Sequence, residues 1–192
     1  MIIKYILTRI QFCMKKFQLF LILFCINECC SAQSFTPDDT KSKTHFTIKN
    51  FGIKTGGDFS GIKGTIVFNP KDLSNSQINV SVNASTINTD NNARDKHLRK
   101  NEYFDVDKYP LITFKSSKIT ESSIAGRFFV VGTITIKGIE KIIQFGFAAV
   151  SFKDGYTFSG EFEINRIDFG VGSSSFSLSD NLKVTLNIVA NK

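Results

Sequence analysis

The sequence predicts an all-β domain: an eight-stranded antiparallel barrel with a short helical insert. Three observations predict it. Runs of roughly 8–12 residues alternate apolar and polar side chains with period two. The turns between them are short and chemically marked, as at Asn69-Pro70-Lys71-Asp72 and Asp154-Gly155. No helical stretch separates consecutive strands, as a parallel βα arrangement would require. Long strands in up-and-down order favour a closed barrel over a sandwich, because closure removes exposed edges.

The first 32 residues differ from the rest. Lys15 and Lys16 precede an apolar run, Phe17–Ile26, and a small-residue segment ends at Ser31-Ala32. This pattern reads as a secretory signal peptide over residues 1–32, cleaved after Ala32. The run is shorter than the ~20 apolar residues a spanning helix needs. Met14 reads as a natural start, with Met1–Cys13 as an upstream extension. The alternative, a lipoprotein anchor on Cys29 or Cys30, would place Glu28 or Cys29 where a small residue is normal. The expected location is therefore periplasmic or secreted, and residues 33–192 form the domain. All four cysteines (Cys13, Cys25, Cys29 and Cys30) lie in the leader. A domain without disulfides must be held by its core, and it has no thiolate for catalysis or metal binding.

The strands follow in order. In Thr44–Phe51, Phe46 and Ile48 share one face; Gly52 and Gly56-Gly57 then punctuate the chain. Asp58–Phe68 continues with Ile66 and Phe68 in phase, and Gln77–Ser85 carries Ile78, Val80 and Val82 on one face. The alternation stops over Asn88–Lys100. There Asp90, Asn91 or Asn92 can cap a short helix, read as Asn92–Arg99. Strands resume at Leu111–Ser116, Gly126–Lys137, Lys141–Phe152, Tyr156–Asn165 and Leu182–Ala190. Their interior phase holds Ile112, Phe114, Ile134, Ile136, Phe145, Phe147, Phe158, Phe162 and Ile164. Gly132, Gly146 and Gly160 sit in or beside these runs, where a glycine permits a bend, a bulge or a close approach. Most of the 20 Phe residues lie beyond the leader, and the chain has no Trp. Plain core packing and a ligand cavity both fit this phase.

Chemistry is sparse. Of the net charge of +7, setting aside Lys4, Arg9, Lys15, Lys16 and Glu28 of the leader leaves 20 basic and 16 acidic residues, net +4, and the basic ones alternate with apolar residues, the pattern of a solvated face rather than a nucleic-acid patch. His45 and His97 are the only histidines. His45 should point outward beside Phe46. No serine lies in a G-x-S-x-G elbow that would make a triad with Asp95 and His97. Two histidines without cysteine fall short of the converging ligands a zinc, haem or copper site needs. Ile164, Arg166 and Asp168 share one phase if their strand stays regular, which turns charge towards the apolar side. A buried charge must be paired. We therefore expect Arg94 and Asp95 to meet Arg166 and Asp168 in an ion-pair latch over one barrel end. The alternative is that Arg94 or Arg166 meets an anionic lipid head.

Several motifs together carry a resemblance. Asp38, Ser42, Phe46 and Ile48 open the series, followed by Gly57, Phe59 and Gly64. The most distinctive block is Arg94-Asp95-Lys96-His97-Leu98 with Tyr103-Phe104-Asp105, Tyr109-Pro110 and Phe114-Lys115-Ser116. Gly132–Gly138 and then Ile164–Gly170 with Ser179-Asp180 complete it. From about Thr36 to Lys192 the chain resembles the YceI-like family, periplasmic lipocalin-like proteins that bind polyisoprenoids and related lipids. It departs from the family pattern at Lys41 and Asn50, where histidine is usual, and at Tyr103, where Phe is usual.

The resemblance implies an extended lipocalin-like barrel with a lipid threaded along its interior. It adds Leu98, Phe104 and Phe169 to the strand residues expected to line the pocket. The expected function is binding and sequestration or transport of an isoprenoid, an isoprenoid quinone, or a fatty acid or amide. No catalytic residue, metal or cofactor is expected beyond the bound lipid. Transient membrane contact and a homodimer are further expectations. A packed interaction domain, and an accessory protein of quinone metabolism or electron transfer, are the rival readings.

Overall fold

The computed structural model describes residues 33–192; the expected signal peptide lies outside the described residues. Ten strand segments form one antiparallel sheet. They are β1 (Ser34–Pro37), β2 (Lys43–Asn50), β3 (Ile53–Phe59), β4 (Lys63–Val67) and β5 (Gln77–Asn83), then β6 (Leu111–Glu121), β7 (Arg127–Ile136), β8 (Ile139–Phe152), β9 (Gly155–Asn165) and β10 (Leu178–Asn191). One helix, α1 (Asn92–Leu98), interrupts the series between β5 and β6.

Two pairs of segments are single staves broken by a kink. β1 and β2 both run antiparallel to β10, through Pro37↔Ala190 and from Leu182↔Ile48 to Asn187↔Lys43. Between them the Asp38 carboxylate accepts from the Thr40 hydroxyl at 2.6 Å and from Lys41 Nζ at 2.8 Å. β3 and β4 break at Ser60–Ile62, where the Ile62 N–H donates to Asp39 at 2.7 Å. Counting each pair once gives eight staves, and the β1–β4 and β1–β10 ladders close the ring. This is the predicted antiparallel barrel, every stave pairing with its chain neighbour.

Three local expectations are corrected. Asp58–Phe68 is not one strand, because Asp39 captures the backbone at its middle. Gly56 and Gly57 do not punctuate the chain but lie inside β3. A Cβ on Gly57 would stand 2.6 Å from the Asn88 carbonyl oxygen. The glycine lets the segment after β5 cross close enough for Asp58 and Asn88 to exchange both backbone hydrogen bonds, at 2.8 and 3.0 Å. The hairpin expected at Asp154-Gly155 turns on Lys153-Asp154, with Gly155 opening β9. β1 is an addition to the expected strands, being only four residues long and too short to show a period.

The glycines of the long strands include one close approach of the expected kind. A Cβ on Gly132 would meet the Phe114 ring at 2.5 Å and the Lys115 carbonyl oxygen at 2.6 Å. β6 bulges here, its register shifting between Ser116 and Lys118 opposite Gly132 and Val131.

One barrel end is packed solid. Phe68 stands at its centre, 2 % exposed, with edge-on contacts to Phe128, Phe147, Tyr156 and Phe158 at centroid separations of 5.2–6.2 Å. Phe35 closes over Tyr156 at 5.2 Å. Such edge-to-face pairs add to the burial of large apolar surface.

Candidate functional site

The other end is covered rather than filled. Asn91 caps α1, its side chain accepting the Arg94 N–H at 3.0 Å. The insert is then tied down by bonds to the segment before it. Arg99 donates to the carbonyls of Ser85 (2.7 Å) and Ile87 (3.0 Å). Buried Asp95 accepts both the N–H and the hydroxyl of Thr89. Tyr109 lies against the β7–β8 turn at Gly138, and the Pro110 carbonyl accepts the Ala84 N–H at 2.9 Å. The insert carries Phe104 inward to meet Phe59 edge-on at 5.5 Å.

Opposite the insert, a 3-10 turn at Arg166–Phe169 ends β9. It begins because the Asn165 side chain accepts the Ile167 N–H at 2.9 Å. The turn swings Arg166 inside, where its side chain is 4 % exposed. The guanidinium donates to the carbonyls of Ser179 (3.0 Å), Val171 (2.9 Å) and Ser173 (2.8 Å), and to Asp180 Oδ1 (3.1 Å). These bonds shape the 171–177 loop and the start of β10. Phe169 and Val171 pack beside Ile134 and Ile136 beneath it.

Between the two ends the barrel is hollow. The cavity has a volume of about 520 Å³, within the ~300–1,000 Å³ typical of small-molecule pockets. Its wall is mostly apolar. Phe46, Val80, Phe114, Phe145, Phe162, Ile164, Leu182 and Val184 all face inward yet stay only half-buried, because the space they face is open. Phe145 and Phe162 stack obliquely across the wall at 4.7 Å, and Phe114 continues the row at 5.7 Å. Polar side chains gather at the covered end, where Asn50, Thr55, Arg94, His97, Ser175 and Ser177 join the lining. There Arg94 spends its Nε and Nη2 on Thr89, at 2.8 and 2.6 Å. His97 is exposed and meets Tyr103 edge-on at 4.9 Å.

The expected lining residues all face this cavity except Phe68. Phe68 is correctly in phase but too near the closed end, where other rings surround it. Ile48, Ile66, Val82, Leu98, Phe104, Ile134, Ile136, Phe147, Phe158 and Phe169 take their expected places in the wall. Unanticipated contributors are Phe59, Val130, Val171, Leu178 and the inward face of β10, including Leu186 and Ile188. The alternation in β10 could have revealed them; the loop residues carried no signal.

The expected latch is corrected. Arg94 and Asp95 both turn to Thr89, whereas Arg166 pairs with Asp180. The 3-10 turn breaks the strand phase, leaving Asp168 exposed at the surface. Arg166 still locks this end, through loop carbonyls rather than through the insert. His45 stands on the outer face, its Nδ1 2.8 Å from Asp58 Oδ1. Among the described residues no group of three His, Cys, Asp or Glu side chains converges. Asp95 is committed to Thr89, so it does not orient His97.

Solved structures share this architecture. BcnA of Burkholderia cenocepacia superposes with a TM-score of 0.76 at 23 % identity, over 81 % of this chain and 99 % of that one. The Campylobacter jejuni YceI protein gives 0.64 at 28 % identity, covering 71 % and 84 %. A domain from Saccharophagus degradans, described as polyisoprenoid-binding, gives 0.67 at 13 % identity, covering 82 % and 97 %. By sequence, UPF0312 protein SA2479 of Staphylococcus aureus (strain N315) is 33 % identical over 146 residues, 72 % of this chain and 82 % of its own length. UPF0312 protein YE1254 of Yersinia enterocolitica is 34 % identical over 97 residues, and that match spans only half the length of each chain. The family model of the YceI-like domain matches residues 35–190, so the chain belongs to the YceI-like family.

Proposed function

We propose that this chain binds one long-chain apolar lipid inside the barrel and carries or sequesters it outside the cytoplasm. An isoprenoid or isoprenoid quinone is the first candidate, with fatty acids or amides behind. The observation that carries the reading is the hollow apolar wall, where inward-facing Phe145, Phe162 and Val184 remain reachable from the cavity. An apolar tail gains roughly 0.8 kcal/mol per buried CH₂ and asks for no directed hydrogen bond. Every buried side-chain polar atom among the described residues already has a partner, so the wall suits a ligand that brings no polar groups of its own. The polyisoprenoid-binding description of the Saccharophagus domain fits the same ligand class.

A head group has a place at the covered end. Arg94 Nη1 has no hydrogen-bond partner among the described residues, and His97 and Tyr103 line the same cavity, in contact with each other. A phosphate, hydroxyl or quinone oxygen can accept from such donors.

Mass spectrometry of organic extracts of the purified protein tests the proposal. A long-chain species at about one per chain is expected, returning when the stripped protein is mixed with polyprenol or ubiquinone. Protein that extracts empty and takes up neither compound would leave a packed interaction domain as the better account.

A further inference from the structure

Three large apolar side chains stand out into solvent at the covered end of the cavity. Phe51 and Ile53, at the β2–β3 tip, are each 73 % exposed, and Phe176 in the loop before β10 is fully exposed. Hairpin and loop are one unit. The Phe51 N–H donates to the Ser177 carbonyl at 2.6 Å, and Asn50 pairs with Leu178 in the ladder. Asn50, Ser175 and Ser177, the direct chain neighbours of Phe51 and Phe176, belong to the cavity wall. The three apolar tips therefore crown the rim itself.

Phe51 is an expensive residue at this position. Its φ of +48° and that of Gly52 at +77° make a left-handed two-residue turn. Asn, Asp and Gly fill such turns cheaply, and a bulky side chain does not. The ring buries little against the chain, so the fold gains nothing from it. Lys49 and Lys54 pair across the ladder just behind the tip, both exposed. Neither Lys49–Lys54 nor Gly172–Leu178 contains an acidic residue.

We propose that this rim docks on an anionic bilayer surface. Phe51, Ile53 and Phe176 enter the boundary between headgroups and acyl chains, while Lys49 and Lys54 meet lipid phosphates above it. The covered end of the cavity then faces the membrane, so that a lipid passing between bilayer and barrel does not cross water. Interfacial attachment draws on this pairing of exposed apolar area with flanking basic charge. A second copy of the chain is the poorer occupant. A two-fold contact centred here would set the Lys49–Lys54 pair near its own copy, with no acid in either segment to meet it. The inference rests on the lipid-binding reading for its purpose, but docking and uptake are measured separately.

The test is vesicle flotation of the purified protein with phosphatidylcholine alone and with phosphatidylcholine–phosphatidylglycerol. Binding to the mixed vesicles, weakened by salt, is expected. The combined variant Phe51→Asn, Ile53→Thr and Phe176→Ser should lose about tenfold or more in partitioning. Lys49→Gln and Lys54→Gln should each lose about fivefold, on anionic vesicles only. Melting temperature should not fall in any of these, rising if anything with Phe51→Asn in its left-handed turn, and ubiquinone binding in detergent should be unchanged. Because the chain has no Trp, Phe176→Trp provides a single fluorescent reporter, expected to shift to the blue on mixed vesicles. A wild-type protein that ignores both vesicle types, or a reporter whose emission does not move, overturns docking whatever the cavity holds. So does a rim variant that abolishes a dimer in sedimentation without altering vesicle partitioning. Docking by a protein that takes up no lipid would instead overturn the lipid-binding reading and leave the membrane surface standing.

Discussion

Replacing Arg166 by Met asks whether the guanidinium holds the covered end together or serves a ligand. Arg166 is buried, and its donors satisfy the carbonyls of Val171, Ser173 and Ser179 together with Asp180. Methionine fills a similar volume but leaves these acceptors without their donor. Asp180 is 35 % exposed and can turn to water, so little of the loss comes from the ion pair itself. The carbonyls carry the rest, at ~1–3 kcal/mol for each that stays buried and unmet. A total of about 3–5 kcal/mol follows, the usual penalty for removing one side of a buried charged network. For a domain of this size each kcal/mol moves the melting temperature by ~2–4 °C. Circular dichroism or calorimetric melts of lipid-stripped protein should therefore show Tm falling by roughly 6–20 °C. An empty variant melting within about 2 °C of wild type while losing bound lipid would refute this reasoning, because that pattern belongs to a head-group contact.

Other expectations concern pH, cavity volume and backbone clearance. The hydrogen bond from Lys41, and then those from Thr40, lower the Asp38 pKa to about 2. A depressed carboxylate stabilises the fold above its unfolded pKa of about 4, and this contribution disappears as pH falls towards 2. Acid titration of Asp38→Asn, followed by circular dichroism, should lack that part of the wild-type loss between pH 4 and 2. Val184→Phe fills part of the cavity, so displacing two or three methylenes should weaken lipid binding by about 2 kcal/mol, roughly thirtyfold. Competition binding in detergent checks this, and the empty variant should melt no lower than wild type. Gly132→Ala puts a methyl group against the Phe114 ring and the Lys115 carbonyl oxygen. It should destabilise by ~1–3 kcal/mol in denaturant titration, as overpacked positions do.

Period-two alternation made the barrel legible because a closed wall buries one face of every stave. Phe145 and Phe147 in β8, or Phe46 and Ile48 in β2, could face only one way. The helix was equally legible, since Asn91 offers a cap ahead of a stretch without strand phase. Tertiary events were not. The crossing of Asn88 over Gly57 depends on residues about thirty positions apart, and in sequence the glycine pair reads as a break. Phase alone says inward or outward, never how far along the barrel, which is why it points Phe68 to the cavity instead of the closed end. The charged latch failed for a local reason. Asn165 starts a 3-10 turn that ends the strand phase, and Asp180 reaches Arg166 from the start of β10, where the register with β2 shifts between Leu178 and Leu182.

The closing of the ring by β10 bears on how the chain becomes a protein. Both β1 and β2 depend on β10, and the Ser42 hydroxyl accepts the N–H of Val189, 147 residues away. Until residues 178–191 have left the ribosome, the first stave has no partner on that side. Contacts of such sequence separation form late, since loop closure must come before the reward. The ring thus stays open, with unpaired strand edges on either side of the gap, until β10 pairs. Unpaired edges of that kind invite pairing with other chains, and the arrival of β10 removes them.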